Sequence, residues 1–261
     1  MKQVRAKKHL GQHFLTDLSI AQQIVDSLTL QIPVIEVGPG MGVLTQYLVQ
    51  KPDIDLRLIE IDSESVEYLH EHYPLLKERI IEGDFLRLEL DKLFSGDFAV
   101  IGNFPYNISS QIFFKVLEHR NQIPQVVGML QKEVAERLAA PPGSRTYGIL
   151  SVLLQAWYNV EYLFTVSEQV FSPPPKVKSA VIRVTRNDCN DLGCDEKLFK
   201  QVIKATFNQR RKTIRNSLKA MAYNRSTFPD HPLLNQRPEQ LSVAQFVELT
   251  NLVALHPPGD N

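Results

Sequence analysis

Along the first two-thirds of the chain, short runs of apolar and β-branched residues alternate with longer segments whose apolar positions recur every three or four residues. The runs "VIEVG" (34–38), "LRLIEID" (56–62), "RIIEG" (79–83), "FAVIGN" (98–103), "QVVGML" (125–130), "VEYLF" (160–164) and "AVIRVT" (180–185) predict strands. Between them, segments such as "VLTQYLVQ" and "SESVEYLHEHY" predict amphipathic helices. Strands that alternate with helices pair in parallel, so the predicted fold class is α/β, a mostly parallel doubly wound sheet. The last two runs are candidates for an antiparallel edge. Beyond the polar stretch "RNDCNDLGCD" the strand signals stop. "EKLFKQVIKATFNQRRKTIRNSLKAMA" and "PEQLSVAQFVELTNLVALH" each predict one amphipathic helix, the second opened by Pro238. The expected organisation is an α/β domain over residues 1–185 and a small all-helical domain over 186–261.

Composition changes this picture little. The 261 residues are 43% hydrophobic, ample for a core. The basic amino terminus "MKQVRAKKHL" leads into no apolar signal segment, and no apolar run approaches the roughly 20 residues of a membrane span, so a soluble, cytoplasmic protein is expected. Cys189 and Cys194 lie in the polar stretch and read as loop thiols, and no metal-ligand spacing is present.

Charge is more informative than its sum of zero. Residues 1–10 carry Lys2, Arg5, Lys7 and Lys8 without an acid, and residues 200–219 carry Lys200, Lys204, Arg210, Arg211, Lys212, Arg215 and Lys219 without an acid. Residues 11–99 hold 16 acidic against 6 basic side chains. Positive ends flanking an acidic segment point to a polyanionic partner met by the ends.

The candidate chemistry lies where predicted strands end. "VIEVGPGMGVLT" puts Gly38, Gly40 and Gly42 after the first strand, where glycine lets the backbone turn tightly and approach a ligand. Glu60 ends the second strand, 22 residues after Gly38, placed to accept hydrogen bonds from both hydroxyls of a ribose. Asp84 ends the third, where it could meet an adenine edge. This ordered set predicts a nucleoside cofactor. An acidic pocket edge without lysine or arginine disfavours a phosphate-bearing one and suits a cation such as S-adenosyl-L-methionine.

Asn103-Phe104-Pro105-Tyr106 ends the fourth strand at the same sheet edge and is similar to the [D/N]-P-P-Y signature of enzymes that methylate a conjugated nitrogen. The lone pair of such a nitrogen is delocalised, which makes it a poor nucleophile. If the Asn103 side-chain oxygen and the Phe104 carbonyl, held by Pro105, accept its two N–H bonds, the lone pair is aimed at a methyl donor and positioning replaces a general base. Tyr106 would offer a face on which the target base stacks, worth about 1 to 3 kcal/mol. This signature is shared by glutamine and DNA-adenine methyltransferases, and the residues alone leave those substrates open.

Across nearly its whole length the chain resembles the KsgA family of small-subunit ribosomal RNA adenine dimethyltransferases. The resemblance is carried by "KKHLGQHFLTD", "VIEVGPGMGVLT", "LIEID", "EGDFL", "GNFPYNISSQI", "LQKEVAERL", "YGILSV", "VFSPPPKVKSAVIRV" and "ATFNQRRKTIRNSL". It implies a class I, Rossmann-like methyltransferase domain followed by a helical domain that docks on rRNA. The implied activity is transfer of two methyl groups from S-adenosyl-L-methionine to N6 of each of two adjacent adenosines in the 3′-terminal hairpin loop of 16S rRNA, during small-subunit biogenesis. The resemblance further implies a monomer that uses no metal. Carried over by position, cofactor binding falls on His13, Leu15, Gly38, Gly40, Glu60, Asp84 and Asn103, and catalysis on Asn103, Phe104, Pro105 and Tyr106. His13 stands where many members have asparagine. Phe171, before the rigid "SPPP" run, would be a second aromatic wall opposite Tyr106, and Arg210, Arg211, Lys212 and Arg215 would meet rRNA phosphates.

Overall fold

In the computed structural model of the protein, residues 4–52, 54–221 and 228–257 are described. Lys2 and the final Ala222 of the first carboxy-terminal helix prediction lie outside them. The strands are β1 (Phe14–Leu15), β2 (Val34–Val37), β3 (Leu56–Glu60), β4 (Ile80–Glu82), β5 (Ala99–Asn103), β6 (Gln125–Gln131), β7 (Tyr158–Val166), β8 (Phe171–Ser172) and β9 (Ser179–Arg186). Seven form one sheet in the order β4-β3-β2-β5-β6-β9-β7. The first five of these pair in parallel, and β9 runs antiparallel to β6, with Gly128 opposite Ile182. Every predicted strand is present, and the expected antiparallel edge is there.

The central strands are buried on both faces, as parallel strands between helical layers must be: β2 is buried at all four positions, and so are the first four of β5. From β2 the chain moves outward to β3 and β4, then crosses back to β5 on the other side of β2. The reversal between β2 and β5 opens a crevice at the carboxyl ends of these strands, which is where open α/β sheets bind ligands.

The helices of the first half are α1 (Leu18–Asp26), α2 (Thr45–Leu48), α3 (Ser63–His72) and α4 (Ser109–Glu118). Helix α1 is opened by Asp17, whose carboxylate accepts from the backbone N–H groups of Ser19 and Ile20. Helix α2 is shorter than the periodicity of 43–50 predicts, because the glycine turn continues through Leu44. The pairing of β1 with β8 has no counterpart among the predicted elements: two-residue strands leave no periodic signal. Phe14 faces Ser172 and Leu15 faces Phe171.

Two compact units are distinguished, Met1–Ala135 with Asn159–Arg186, and Glu136–Tyr158 with Asn187–Asn261. Segment 136–158, which precedes residue 185, thus groups with the carboxy-terminal residues. The second unit holds the second half of α5 (Lys132–Ala139), then α6 (Ile149–Gln155), α7 (Glu196–Phe207), α8 (Ile214–Ser217) and α9 (Val243–Ala254). Its core includes Phe199, Val202, Ile203, Phe246 and Leu249. The single helix predicted over 196–222 is broken after Phe207. Thr213 is extended, and the Ile214 N–H donates to Gln236 O at 2.8 Å, a tertiary bond that replaces the helical one. The other predicted helix starts later than Pro238, which opens only a short 3-10 turn. Ser242 and Gln245 form the reciprocal cap from which α9 begins. Among the described residues, no helix is long and apolar enough to cross a membrane.

Candidate active site

The crevice is a cleft of about 950 Å³, open to solvent, built wholly from the first unit. Its walls bring together His13, Leu15, Gly38, Gly40, Glu60, Asp84 and the whole of Asn103-Phe104-Pro105-Tyr106. Residues as far apart in sequence as His13 and Tyr106 converge because four neighbouring strands, β4, β3, β2 and β5, end at this edge. Its acidic side chains are Glu36, Glu60 and Asp84, and its lining includes no lysine or arginine among the described residues.

The glycine turn is shaped by positive φ at Gly38 (67°) and Gly40 (56°), which L side chains rarely adopt. At Gly40 a Cβ would also lie 3.0 Å from the Phe14 ring, so this turn and the amino-terminal segment approach closely. Glu60 is 3% exposed and takes up the turn directly, accepting from Gly40 N at 2.9 Å through Oε2 and from Asp62 N at 3.0 Å through Oε1. Burial raises the Glu60 carboxyl above the usual carboxylate range, although those amides oppose the shift. Each carboxylate oxygen retains a second lone pair for an external donor.

Glu36, inside the turn motif, is a site residue that the sequence pattern does not single out. Burial, and then the neighbouring charge of Glu60, push its carboxyl up to about 8 despite a hydrogen bond from Thr45 Oγ1 at 2.6 Å. Asp84 accepts from Leu86 N at 2.9 Å, and Lys115 of α4 donates to the carbonyls of Leu86 and Leu88, pinning that loop.

The amino-terminal segment is strapped across the cleft. Lys7 and Gln12 both donate to Asp62, and Thr16 donates to Val170 O. Burial alone would disfavour an ionised Asp62, but the bonds from Lys7 and Gln12 outweigh it and hold the carboxyl below its ordinary value. Asp62 also caps α3, the one signal by which "IDSES" could have marked it.

Asn103 donates through Nδ2 to His13 O at 2.9 Å, and its Oδ1 has no partner among the described residues. The Phe104 ring is fully buried and meets Phe113 edge-on at 6.0 Å, so this residue offers the cleft only its backbone. Tyr106 shares a short hydrogen bond with Ser179, and burial pushes its phenol up. The ring beside Tyr106 is that of His13, with centroids 5.3 Å apart and planes tilted by 32°.

Phe171 is absent from the cleft lining. It is 4% exposed in the hydrophobic core with Leu15, so the structure places it in packing rather than in the expected aromatic wall. In the second unit, Arg211 and Lys212 are exposed and have no side-chain partner among the described residues. Arg215 is in an ion pair with Asp230, and Arg210 donates to Arg145 O at 2.6 Å, so the four-residue basic run divides into two free and two engaged cations. No group of three or more His, Cys, Asp or Glu among the described residues is arranged to hold a metal ion.

Sheet order and cleft define a Rossmann-like methyltransferase fold. Solved structures share it: a dimethyladenosine transferase from Plasmodium falciparum (TM-score 0.77, 23% identity, covering 94% of this chain and 99% of that one) and the 23S rRNA methyltransferase ErmE (TM-score 0.67, 24% identity, 92% and 99%). The sequence matches the family "Ribosomal RNA adenine dimethylase" over residues 3–255. Proteins called Ribosomal RNA small subunit methyltransferase A are 64% identical in Parabacteroides distasonis (98% of this chain, 97% of that one) and 58% identical in Cytophaga hutchinsonii (97% and 99%). The chain belongs to the ribosomal RNA adenine dimethylase family.

Proposed function

We propose that the protein uses S-adenosyl-L-methionine to dimethylate N6 of two adjacent adenosines in the 3′-terminal hairpin loop of 16S rRNA during small-subunit assembly, acting in the cytoplasm as a monomer. The observation that carries this reading is the unpaired Oδ1 of Asn103 in the wall of an acidic cleft lined by no lysine or arginine among the described residues.

The donor set suits a cationic nucleoside. Glu60 has lone pairs left for ribose hydroxyls after serving two amides, Asp84 lies at the next strand end, and the turn at Gly38 and Gly40 exposes backbone where a side chain would intrude. These residues, with His13 and Leu15, would hold the cofactor. When bound, S-adenosyl-L-methionine supplies an electrophilic methyl group on a sulfonium. Asn103 Oδ1 and the Phe104 carbonyl accept the two N–H bonds of the adenine amino group and turn its lone pair outward. Pro105 fixes φ beyond that carbonyl. Tyr106, tethered to Ser179, offers its ring to the extruded base, with His13 beside it. Arg211 and Lys212 would neutralise rRNA phosphates from the second unit.

The test is incubation with radiolabelled S-adenosyl-L-methionine and immature small subunits, with modified bases mapped by mass spectrometry. Two adjacent dimethyladenosines near the 16S 3′ end are expected. Label on protein, on 23S rRNA or on no adenosine at all would overturn the assignment.

A further inference from the structure

We infer that Gly128, on β6 and 25 residues beyond Asn103, is a positioning residue for methyl transfer, because with Gly102 it forms the seat on which the Phe104 ring rests. This rests on the reading of Asn103 and the Phe104 carbonyl as acceptors of the target amino group. Gly102 and Gly128 are direct partners in the parallel β5–β6 pair. A Cβ on Gly102 would lie 2.9 Å from Phe104 Cδ1 and Cε1, and one on Gly128 would lie 2.3 Å from Cε2 and 2.8 Å from Cδ2. The two edges of one ring therefore press on two facing glycines in neighbouring strands. Glycine inside a strand weakens it and often marks such a close approach.

The seat has a consequence for the cleft. Phe104 is fully buried, its N–H donates to Met129 O at 2.9 Å, and its ring packs edge-on against Phe113 of α4. Ring, amide and helix together fix where the Phe104 carbonyl and the Asn103 side chain stand. Gly128 has no left-handed φ, so its backbone tolerates alanine and the added methyl acts through the ring alone. Gly102 is different, because a Cβ there would lie 2.5 Å from the carbonyl oxygen of Val37 in the adjacent strand. Substitution at Gly102 breaks the sheet, whereas substitution at Gly128 moves the motif.

The experiment compares the wild type with Gly128→Ala, Phe104→Leu and the double variant, the last removing the ring atoms that the new methyl meets. For Gly128→Ala, kcat should fall by at least about tenfold, since small misplacements of reacting groups are costly. S-adenosylhomocysteine affinity by calorimetry should stay within about threefold, because Glu60 and Asp84 are untouched. The Asn103 side-chain NH2 signal in a proton–nitrogen NMR spectrum, assigned with Asn103→Ala, should shift. The double variant should recover at least part of kcat and return that signal toward its wild-type position. An unchanged kcat and NH2 signal in Gly128→Ala would overturn the inference, as would equal loss of activity and cofactor affinity without recovery in the double variant. Should Gly128→Ala not fold, a folded and active double variant supports the seat and an unfolded one refutes it. A wild type without adenosine methylation would retire the functional reading instead, while the NMR comparison still tests the seat.

Discussion

The side-chain NH2 of Asn103 donates to the backbone carbonyl of His13 at 2.9 Å, joining the end of β5 to the amino-terminal strap. One hydrogen bond thus determines which end of the amide is left for a substrate. Asn103→Ala should lower methyl transfer by roughly 10² to 10³, the usual loss for a preorganised polar group, while rRNA affinity stays near that of the wild type. Asn103→Asp should be comparably inactive for another reason: a carboxylate has no N–H for His13 O and sets two acceptors against each other. Single-turnover kinetics with filter binding separates the effects, and parallel loss of rate and rRNA affinity would argue for misfolding.

Glu60 has a double task, which makes its substitution less simple than removal of a ribose partner. Glu60→Ala leaves the N–H groups of Gly40 and Asp62 without their acceptor, at about 1 to 3 kcal/mol for each buried group. Lower thermal stability and weaker cofactor binding are expected together. Glu60→Gln keeps one acceptor oxygen and should lose less of both. Calorimetric titration beside thermal melting checks this, and unaltered cofactor affinity in Glu60→Ala would reassign the carboxylate.

The strands, the glycine turn and the strand-end acids were legible because each leaves a local mark: a β-branched run, a glycine cluster, an acid after the last apolar position. Helix breaks were not, since Ile214 leaves the helical pattern for a bond to Gln236 that no window around residue 214 contains. The same holds for Arg215, whose partner Asp230 is 15 residues away, and for Phe171, whose burial depends on pairing with β1. Glu36 was visible as a letter in "VIEVG" but not as a titrating group, because its shift comes from depth and from Glu60. What sequence left out is tertiary placement, on which the contacts of Arg215 and the burial of Phe171 both depend.

Glu36 predicts a pH dependence of stability. Its folded value of about 8 lies above its ordinary 4.5, so the folded state binds a proton that the unfolded chain has released over that window. Stability therefore falls as pH rises from about 4.5 to about 8, at no more than about 1.4 kcal/mol per pH unit from this group. Glu60, shifted in the same direction by burial, adds to the slope. Glu36→Gln keeps an acceptor for Thr45 and removes the titration. The stability difference, variant minus wild type, should grow between about pH 5 and about pH 8 in urea melts, and a flat difference would show that Glu36 titrates normally.

Arg211 and Lys212 should account for the salt dependence that this basic segment contributes. Each cation withdrawn from a phosphate lowers the slope of log affinity against log salt by about 0.7 to 0.9. Replacing both by alanine should flatten the slope by roughly twice that amount. Arg215→Ala should change it less, because Asp230 already neutralises that guanidinium. An unchanged slope in the double variant would remove this segment from the rRNA interface.

Phe171 offers the sharpest contrast between the role expected from its place before "SPPP" and the role its surroundings allow. A base-stacking wall would be exposed and energetically idle in the free protein. Phe171 is instead 4% exposed, opposite Leu15 in the strand pair that closes the amino-terminal strap. Phe171→Ala should cost about 3 to 5 kcal/mol of stability, as large-to-small changes in a core do. Phe171→Leu fills most of that volume and should retain both stability and methyl transfer, since the ring next to Tyr106 is that of His13. Urea denaturation and steady-state kinetics on the two variants decide between the roles. Near-normal stability with a large loss of kcat in Phe171→Leu would restore the aromatic wall.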